Sequence, residues 1–193
     1  MMSAIMRKHS DIKKGEKIMK VFEMTSEAIP KIARLMCTIK PDWWDYEGAF
    51  SQLSGVEDTI RTVGWYLGED ENTPKGWILC RELIGYRALE LECSGFDDNG
   101  EFKLEHKLGE LICAAESYAR SKGYLTFRSG MSSIGFNIHK KKINSIADAI
   151  ANLECDRIDY KWYLEQGFQV IGIQPNAYEK GFHLIILGKD LSE

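Results

Sequence analysis

RALELECSGFDDNGEFKLEHKLGELICAAESYARSKGYLTF, residues 87–127, decides the fold. It opens as a strand from Arg87 to Cys93. Ala88, Glu90 and Glu92 alternate onto one face of that strand, and Leu89, Leu91 and Cys93 onto the other. The next stretch, SGFDDNGEFK, is a polar loop containing glycine. Leu104, Leu108, Leu111, Ile112, Ala115, Tyr118 and Ala119 then form a helical stripe. It stops at Gly123, a residue suited to the left-handed position after a helix. Tyr124 to Phe127 returns as a strand. Strand, loop, helix and strand make a βαβ unit, which sets the two strands parallel.

On the N-terminal side, Gly64 to Gly68, Gly76 to Leu83 and Arg87 to Cys93 follow one another through connections too short for crossover helices. They read as an antiparallel meander. Before them, Lys17 to Met24 is a first strand, and a hydroxyl in Thr25-Ser26-Glu27 is expected to cap the next helix. That helix carries Ile29, Ile32, Ala33, Leu35 and Met36 on one stripe, accepts Pro30 in its first turns and ends at Pro41. PDWWDYEGAF reads as irregular, followed by a short helix containing Ile60. On the C-terminal side, 130–139 has no regular pattern, and His139 to Lys142 is a solvated face. A helical pattern runs from Asn144 to Gln166 and stops at Gly167. Phe168 to Ile173 and Phe182 to Leu187 close the chain as an antiparallel pair, with Pro175-Asn176 in the loop between them.

The composition fits this picture. A chain of 193 residues with no repeat, linker or low-complexity tract reads as one α/β domain over 17–193, preceded by a flexible tail over 1–16. Twenty-five Lys and Arg against 29 Asp and Glu give a net charge of −4, which argues against nucleic acid as a partner. The longest apolar runs, such as Leu184 to Leu187, are strand-sized, far below the roughly 20 residues needed to cross a bilayer. The apolar start of the chain is too short, and precedes rather than follows its charges, so it does not read as a signal peptide. Five cysteines without a C-x-x-C pair and four scattered histidines offer no metal-ligand spacing. The expectation is reduced thiols, a cytoplasmic location and no metal.

The element order, together with four local stretches, resembles the GNAT superfamily of N-acetyltransferases. MKVFEMTSEAIPKIARLM is similar to its opening strand and helix, and LELEC with LGELICAAESYARSKGY to its acyl-CoA motif. WYLEQGF is similar to its late Y-x-x-x-G-F motif, and FHLIILGKDL to its closing strand. The resemblance spans about residues 19 to 191. It implies a mixed, mostly antiparallel central sheet with a βαβ acyl-CoA-binding unit and flanking helices. It also implies acetyl-CoA as co-substrate and transfer of an acetyl group to a primary amine of a small molecule or peptide. A second copy of the chain is a candidate partner.

A helix N-terminus offers unpaired N–H groups and about half a positive charge to a diphosphate. In the family a pattern R/Q-x-x-G-x-G/A lets phosphate approach those amides. Here one register reads Lys103-Leu104-Glu105-His106-Lys107-Leu108, with side chains at both glycine positions. Slipping by one residue puts Gly109 at the second. Both registers stay open. The cofactor contacts implied are Lys103, His106, Lys107, Leu108, Gly109 and Glu110 around the helix start, with Leu91 and Cys93 on the strand. The degraded pattern keeps an alternative in view: a catalytically weak or inactive acyl-CoA-binding module. An α/β domain unrelated to acyl-CoA is the further rival.

An amine with a pKa near 10.4 is nucleophilic in only about one molecule in a few thousand at pH 7. A general base narrows that gap. Glu90 and Glu92 share a strand face, and the resemblance favours Glu90. It also implies an N–H donor for the thioester oxygen from the backbone of Leu91 to Cys93, and Tyr163 as general acid toward the departing thiolate. Trp43, Trp44 and Tyr46 lie where the family shapes its acceptor site, and could stack on an ammonium or belong to the core.

Overall fold

Both parities of the middle strands are apolar, so helices must cover both faces of the sheet. In the computed structural model, which describes residues 19–55, 61–97 and 104–192, they do. The elements run β1 (Lys20–Glu23), α1 (Ile29–Ile39), α2 (Tyr46–Ser54), β2 (Thr62–Gly68), β3 (Pro74–Leu83), β4 (Ala88–Phe96), α3 (Leu104–Ser121), β5 (Thr126–Ser132), α4 (Ile146–Ala151), α5 (Ile158–Glu165), β6 (Gln169–Glu179) and β7 (Phe182–Asp190). They form one seven-stranded sheet in the order β1-β2-β3-β4-β5-β7-β6. Only β4 and β5 pair in parallel; the other pairs are antiparallel. The fold class is therefore the one expected.

Trp65, Leu67, Ile78, Cys80, Leu89, Leu91, Phe127, Ile185 and Leu187 pack on one face with α3 and α5. Tyr66, Trp77 and Leu79 pack on the other with Ile32, Ala33 and Met36 of α1 and Ala49 and Leu53 of α2. The α1–α2 layer packs over β2, β3 and β4, whereas α3 spans β1 to β5. Trp77 is fully buried because Gly95 lets its ring lie against β4: a Cβ there would stand 2.1 Å from the indole.

Several local expectations change. The strand beginning at Ala88 runs on through Ser94 to Phe96 rather than ending at Cys93. The hydroxyls of Thr25 and Ser26 do not cap α1. Its N-cap is Ala28, and the backbone carbonyl of Thr25 accepts from Ala28 and Ile29. The stretch read as irregular after Pro41 contains α2, which starts at Tyr46 because the Asp45 carboxylate accepts from the Gly48 N–H at 2.7 Å. Ile60 and the tail over 1–16 lie outside the described residues. The single late helix is two, α4 and α5. Between them, Phe136 bridges to Cys155 and the Asn137 N–H donates to the Glu154 carbonyl, so this backbone is used across the fold rather than along a helix. Pro175-Asn176 lies within β6 at an irregularity, and the chain reverses at Lys180-Gly181 instead.

Candidate functional site

β4 and β5 pair over only four positions, Ala88–Thr126 to Leu91–Ser129. Beyond them β4 continues to Phe96 and β5 to Ser132 with no pairing between the two. The cause is a β-bulge. Leu79 of β3 faces Cys93 and Cys80 faces Leu91, which leaves Glu92 as the extra residue on β4. A bulge bends its strand and raises its twist. Here it turns the outer half of β4 away from β5 and opens a fork whose throat is at Leu91 and Ser129.

The bulge also shifts parity. Leu89 and Leu91 pack toward α3, but Cys93 packs toward α1. Leu91 and Cys93 therefore do not share a face, as strict alternation required.

Tyr163 of α5 stands at the throat, buried, with the Ser129 side chain near enough to its hydroxyl to favour the charged form. Its ring packs edge-on against Trp162 and Phe168, each with centroids 5.1 Å away. Burial raises its pKa above the usual phenol value, and the Ser129 side chain opposes that rise only in part. Tyr163 therefore carries its proton at neutral pH. Burial likewise pushes the Cys93 thiol up to about 11 and the Cys80 thiol well above its ordinary value. Neither thiol is a competing nucleophile near the fork at pH 7.

The two glutamates are held differently. Glu90 accepts from Arg81 Nη2 at 3.1 Å and faces Arg128 Nε at 3.4 Å, so each of its oxygens is ion-paired across the sheet. Glu92, at the bulge, is exposed and accepts one hydrogen bond from Gln52 Nε2 of α2 at 3.0 Å. Glu92 therefore faces the α1–α2 layer, whereas Tyr163 packs with the α3–α5 layer. Ser129 and Gln52, which position the two, belong to no local motif in the sequence.

Lys103 lies outside the described residues, and His106 and Lys107 fall in the first turn of α3 with their side chains outside them too. The Leu108 side chain is core. Gly109 is the sixth residue of α3, beyond the open amides of the first turn, and faces Trp162, whose ring lies 3.8 Å from where its Cβ would be. With exposed Glu110, it lines a cleft of about 670 Å³ between α3 and α5 that also includes Cys113, Trp162, Glu165 and Gln166.

Trp43 is exposed, and Lys40 Nζ lies 4.6 Å over its ring while donating to the Ser94 carbonyl at 3.4 Å. This places Trp43 near the outer half of β4. Trp44 packs into the α1–α2 core, and Tyr46 lies tilted against Phe50 with centroids 6.0 Å apart. Among the described residues, no group of three or more His, Cys, Asp or Glu could hold a metal ion, and no helix is long and apolar enough to cross a membrane.

No family model and no curated protein matches the sequence. Solved structures do match. An aminoglycoside 6'-N-acetyltransferase from Enterococcus faecium superposes with a TM-score of 0.76 at 16% identity, over 90% of this chain and 98% of that one. An aminoglycoside 6'-N-acetyltransferase complexed with coenzyme A gives 0.74 at 15% identity, over 90% and 98%. A ribosomal-protein alanine N-acetyltransferase from Escherichia coli gives 0.59 at 15%, over 91% and 96%. Superposed over about nine-tenths of its length, this chain has the fold of GNAT-family acetyltransferases.

Proposed function

We propose that this protein transfers an acetyl group from acetyl-CoA to a primary amine in the fork between β4 and β5. One arrangement carries the reading: two strand edges without a strand partner beyond Leu91 and Ser129, with a buried, protonated phenol at their junction. The opening fits a slender amide-bearing arm, because the backbone groups of two splayed edges can bond to it as they would to an intervening strand. The CoA complex among the structures of this fold adds support. Acetyl-CoA, when bound, supplies an acyl group activated as a thioester.

The chain's residues then divide the work between the two layers. A backbone N–H of Leu91 to Cys93 donates to the thioester oxygen as it gains charge. Glu92, with an oxygen free of its bond to Gln52, takes the proton of the incoming ammonium through water. Tyr163 gives its proton to the departing sulfur. Glu90 is tied to Arg81 and Arg128 and acts as a brace across β3, β4 and β5. The first turn of α3 takes the diphosphate, and Trp162 beside Gly109 offers a ring to the adenosine.

A second reading, binding of acyl-CoA without turnover, is favoured by the degraded diphosphate pattern, in which one register puts side chains at both glycine positions. Thiol release from acetyl-CoA over a panel of primary amines separates the two. Turnover above the rate without protein supports transfer. Coenzyme A binding with no turnover supports the alternative.

A further inference from the structure

β7 poses a problem of covering. Its residues Ile185 and Leu187 are buried against the α3–α5 layer. A strand with one helix-covered face and one open face should alternate apolar with polar. Instead Phe182, Leu184 and Ile186 occupy the alternate positions, so β7 reads as a strand buried on both sides.

Among the described residues the α1–α2 layer packs over β2, β3 and β4 and no helix packs on that second face at β7, where Phe182 meets the His139 and Tyr178 rings and Leu184 and Ile186 meet no helix. The neighbouring strands extend the surface. Gly130 and Ser132 of β5 lie directly opposite Ile186 and Leu184, and Leu184 Cδ1 leans to within 3.0 Å of where a Gly130 Cβ would stand. Ile171, at the bulge of β6, is 53% exposed beyond them. The result is an apolar floor on the same face as Glu90.

Two features identify what covers it. The floor is continuous with the fork: Gly130 to Ser132 is both the wall of the fork and the edge of the floor. It is also nearly free of charge. Residues 128–132, 184–188 and 169–174 together contain a single ionisable side chain, Arg128, and its guanidinium faces Glu90. Glu90 on this face is already paired with Arg81 and Arg128, so a polycationic amine would find no free carboxylate in these stretches for its extra charges. A molecule with one ammonium and a hydrocarbon body would set the body on Leu184 and Ile186 and direct the ammonium toward Glu92.

We infer that the acceptor is a monocationic primary amine carried on an apolar body, with Leu184 and Ile186 as its specificity-determining contacts. This rests on the acetyl-transfer reading and names its substrate class. It separates this chain from the aminoglycoside enzymes that share its fold, whose acceptors are named for a polyamine sugar.

The test uses the full chain, acetyl-CoA and a series of linear primary amines from butylamine to octylamine, with spermidine as the polycation. Acceptor KM should fall about two- to fourfold per added methylene, the range set by transfer of a CH2 from water. Spermidine should be a poorer acceptor than octylamine. Leu184→Ser should flatten the series, and Ile186→Ala serves in its place if that variant does not fold. In parallel, methyl NMR of Leu184 and Ile186 is followed as hexylamine is added. Turnover with a KM independent of chain length, or best with spermidine, overturns the inference and leaves the transfer reading standing. Shifts at both methyl groups without thiol release overturn the transfer reading and keep the apolar-amine surface. Neither shifts nor turnover overturns both. A dimer in sedimentation whose interface protects Leu184 and Ile186 also overturns the inference, because a second copy would then be the cover.

Discussion

Replacing Tyr163 by Phe removes one hydroxyl and leaves the ring in its packing against Trp162 and Phe168. Two things are lost. The first is the polar interaction of the hydroxyl with Ser129, worth up to about 1 kcal/mol. For a domain of this size that lowers the melting temperature by about 2–4 °C. The second is the proton for the leaving sulfur. General acid catalysis typically contributes about 10²- to 10⁴-fold. A thiolate leaves more readily than an alkoxide or amine, so the expected fall in kcat is at or below the low end, about 10- to 100-fold, or about 1.4–2.7 kcal/mol. The hydroxyl acts only as the carbon–sulfur bond breaks, so KM for acetyl-CoA should change less than about twofold. The assay is steady-state thiol release with a melting curve on the same preparation. Tyr160→Phe is the control. That tyrosine lies one turn earlier on α5, packed on Phe136 with centroids 4.9 Å apart, and should leave kcat unchanged. Because Tyr163 stays protonated above the ordinary phenol value near 10, wild-type kcat should show no falling limb below pH 9. A Tyr163→Phe enzyme with wild-type kcat refutes the assignment.

Three further outcomes are expected. Glu92→Gln should lower kcat/KM for the amine about 10- to 100-fold with an unchanged melting temperature. Glu90→Gln should instead destabilise the fold by about 1–2 kcal/mol, discounted for the partial exposure of its two ion pairs; the reverse pattern would exchange the two roles. Cys93, with its thiol pushed up to about 11, should react with iodoacetamide at pH 8 about two hundredfold more slowly than a free thiol, measured by peptide mass spectrometry. Labelling at the rate of the denatured chain would contradict its burial. Tyr66, Tyr118, Tyr124, Tyr160 and Tyr163 are all raised, chiefly by burial. Their protons are held more tightly folded than unfolded, so their contribution is fully present below about pH 10 and is lost as pH rises through the folded values. The melting temperature should therefore be level from pH 7 to 9 and fall above pH 10; a level curve to pH 11 would contradict this.

The β4–α3–β5 unit was legible because its periodicity changes from 2 to 3.6 and back across recognisable breaks. The fork was not. It depends on one extra residue, Glu92, and nothing local distinguishes a bulge from continued alternation, so alternation alone puts Cys93 on the wrong face. Glu90 looked as available as Glu92 because its partners, Arg81 and Arg128, come from two other strands. The contact of Tyr163 with Ser129 joins positions 34 residues apart in the sequence, a separation no local pattern encodes. The α4–α5 break was hidden for the same reason, since the bonds from Phe136 and Asn137 come from a segment with no period of its own. The start of α2 was available in principle. Asp45 precedes Tyr46 as a helix-capping residue would, but the surrounding aromatics break the helical pattern that would mark the segment.

The central claim is that the fork between β4 and β5 receives the pantetheine arm. A crystal structure with acetyl-CoA tests it directly. The thioester oxygen is expected within hydrogen-bond distance of a backbone N–H of Leu91 to Cys93, with the sulfur beside the Tyr163 hydroxyl. Acetyl-CoA bound elsewhere, or β4 and β5 paired beyond Leu91 and Ser129, would contradict the account.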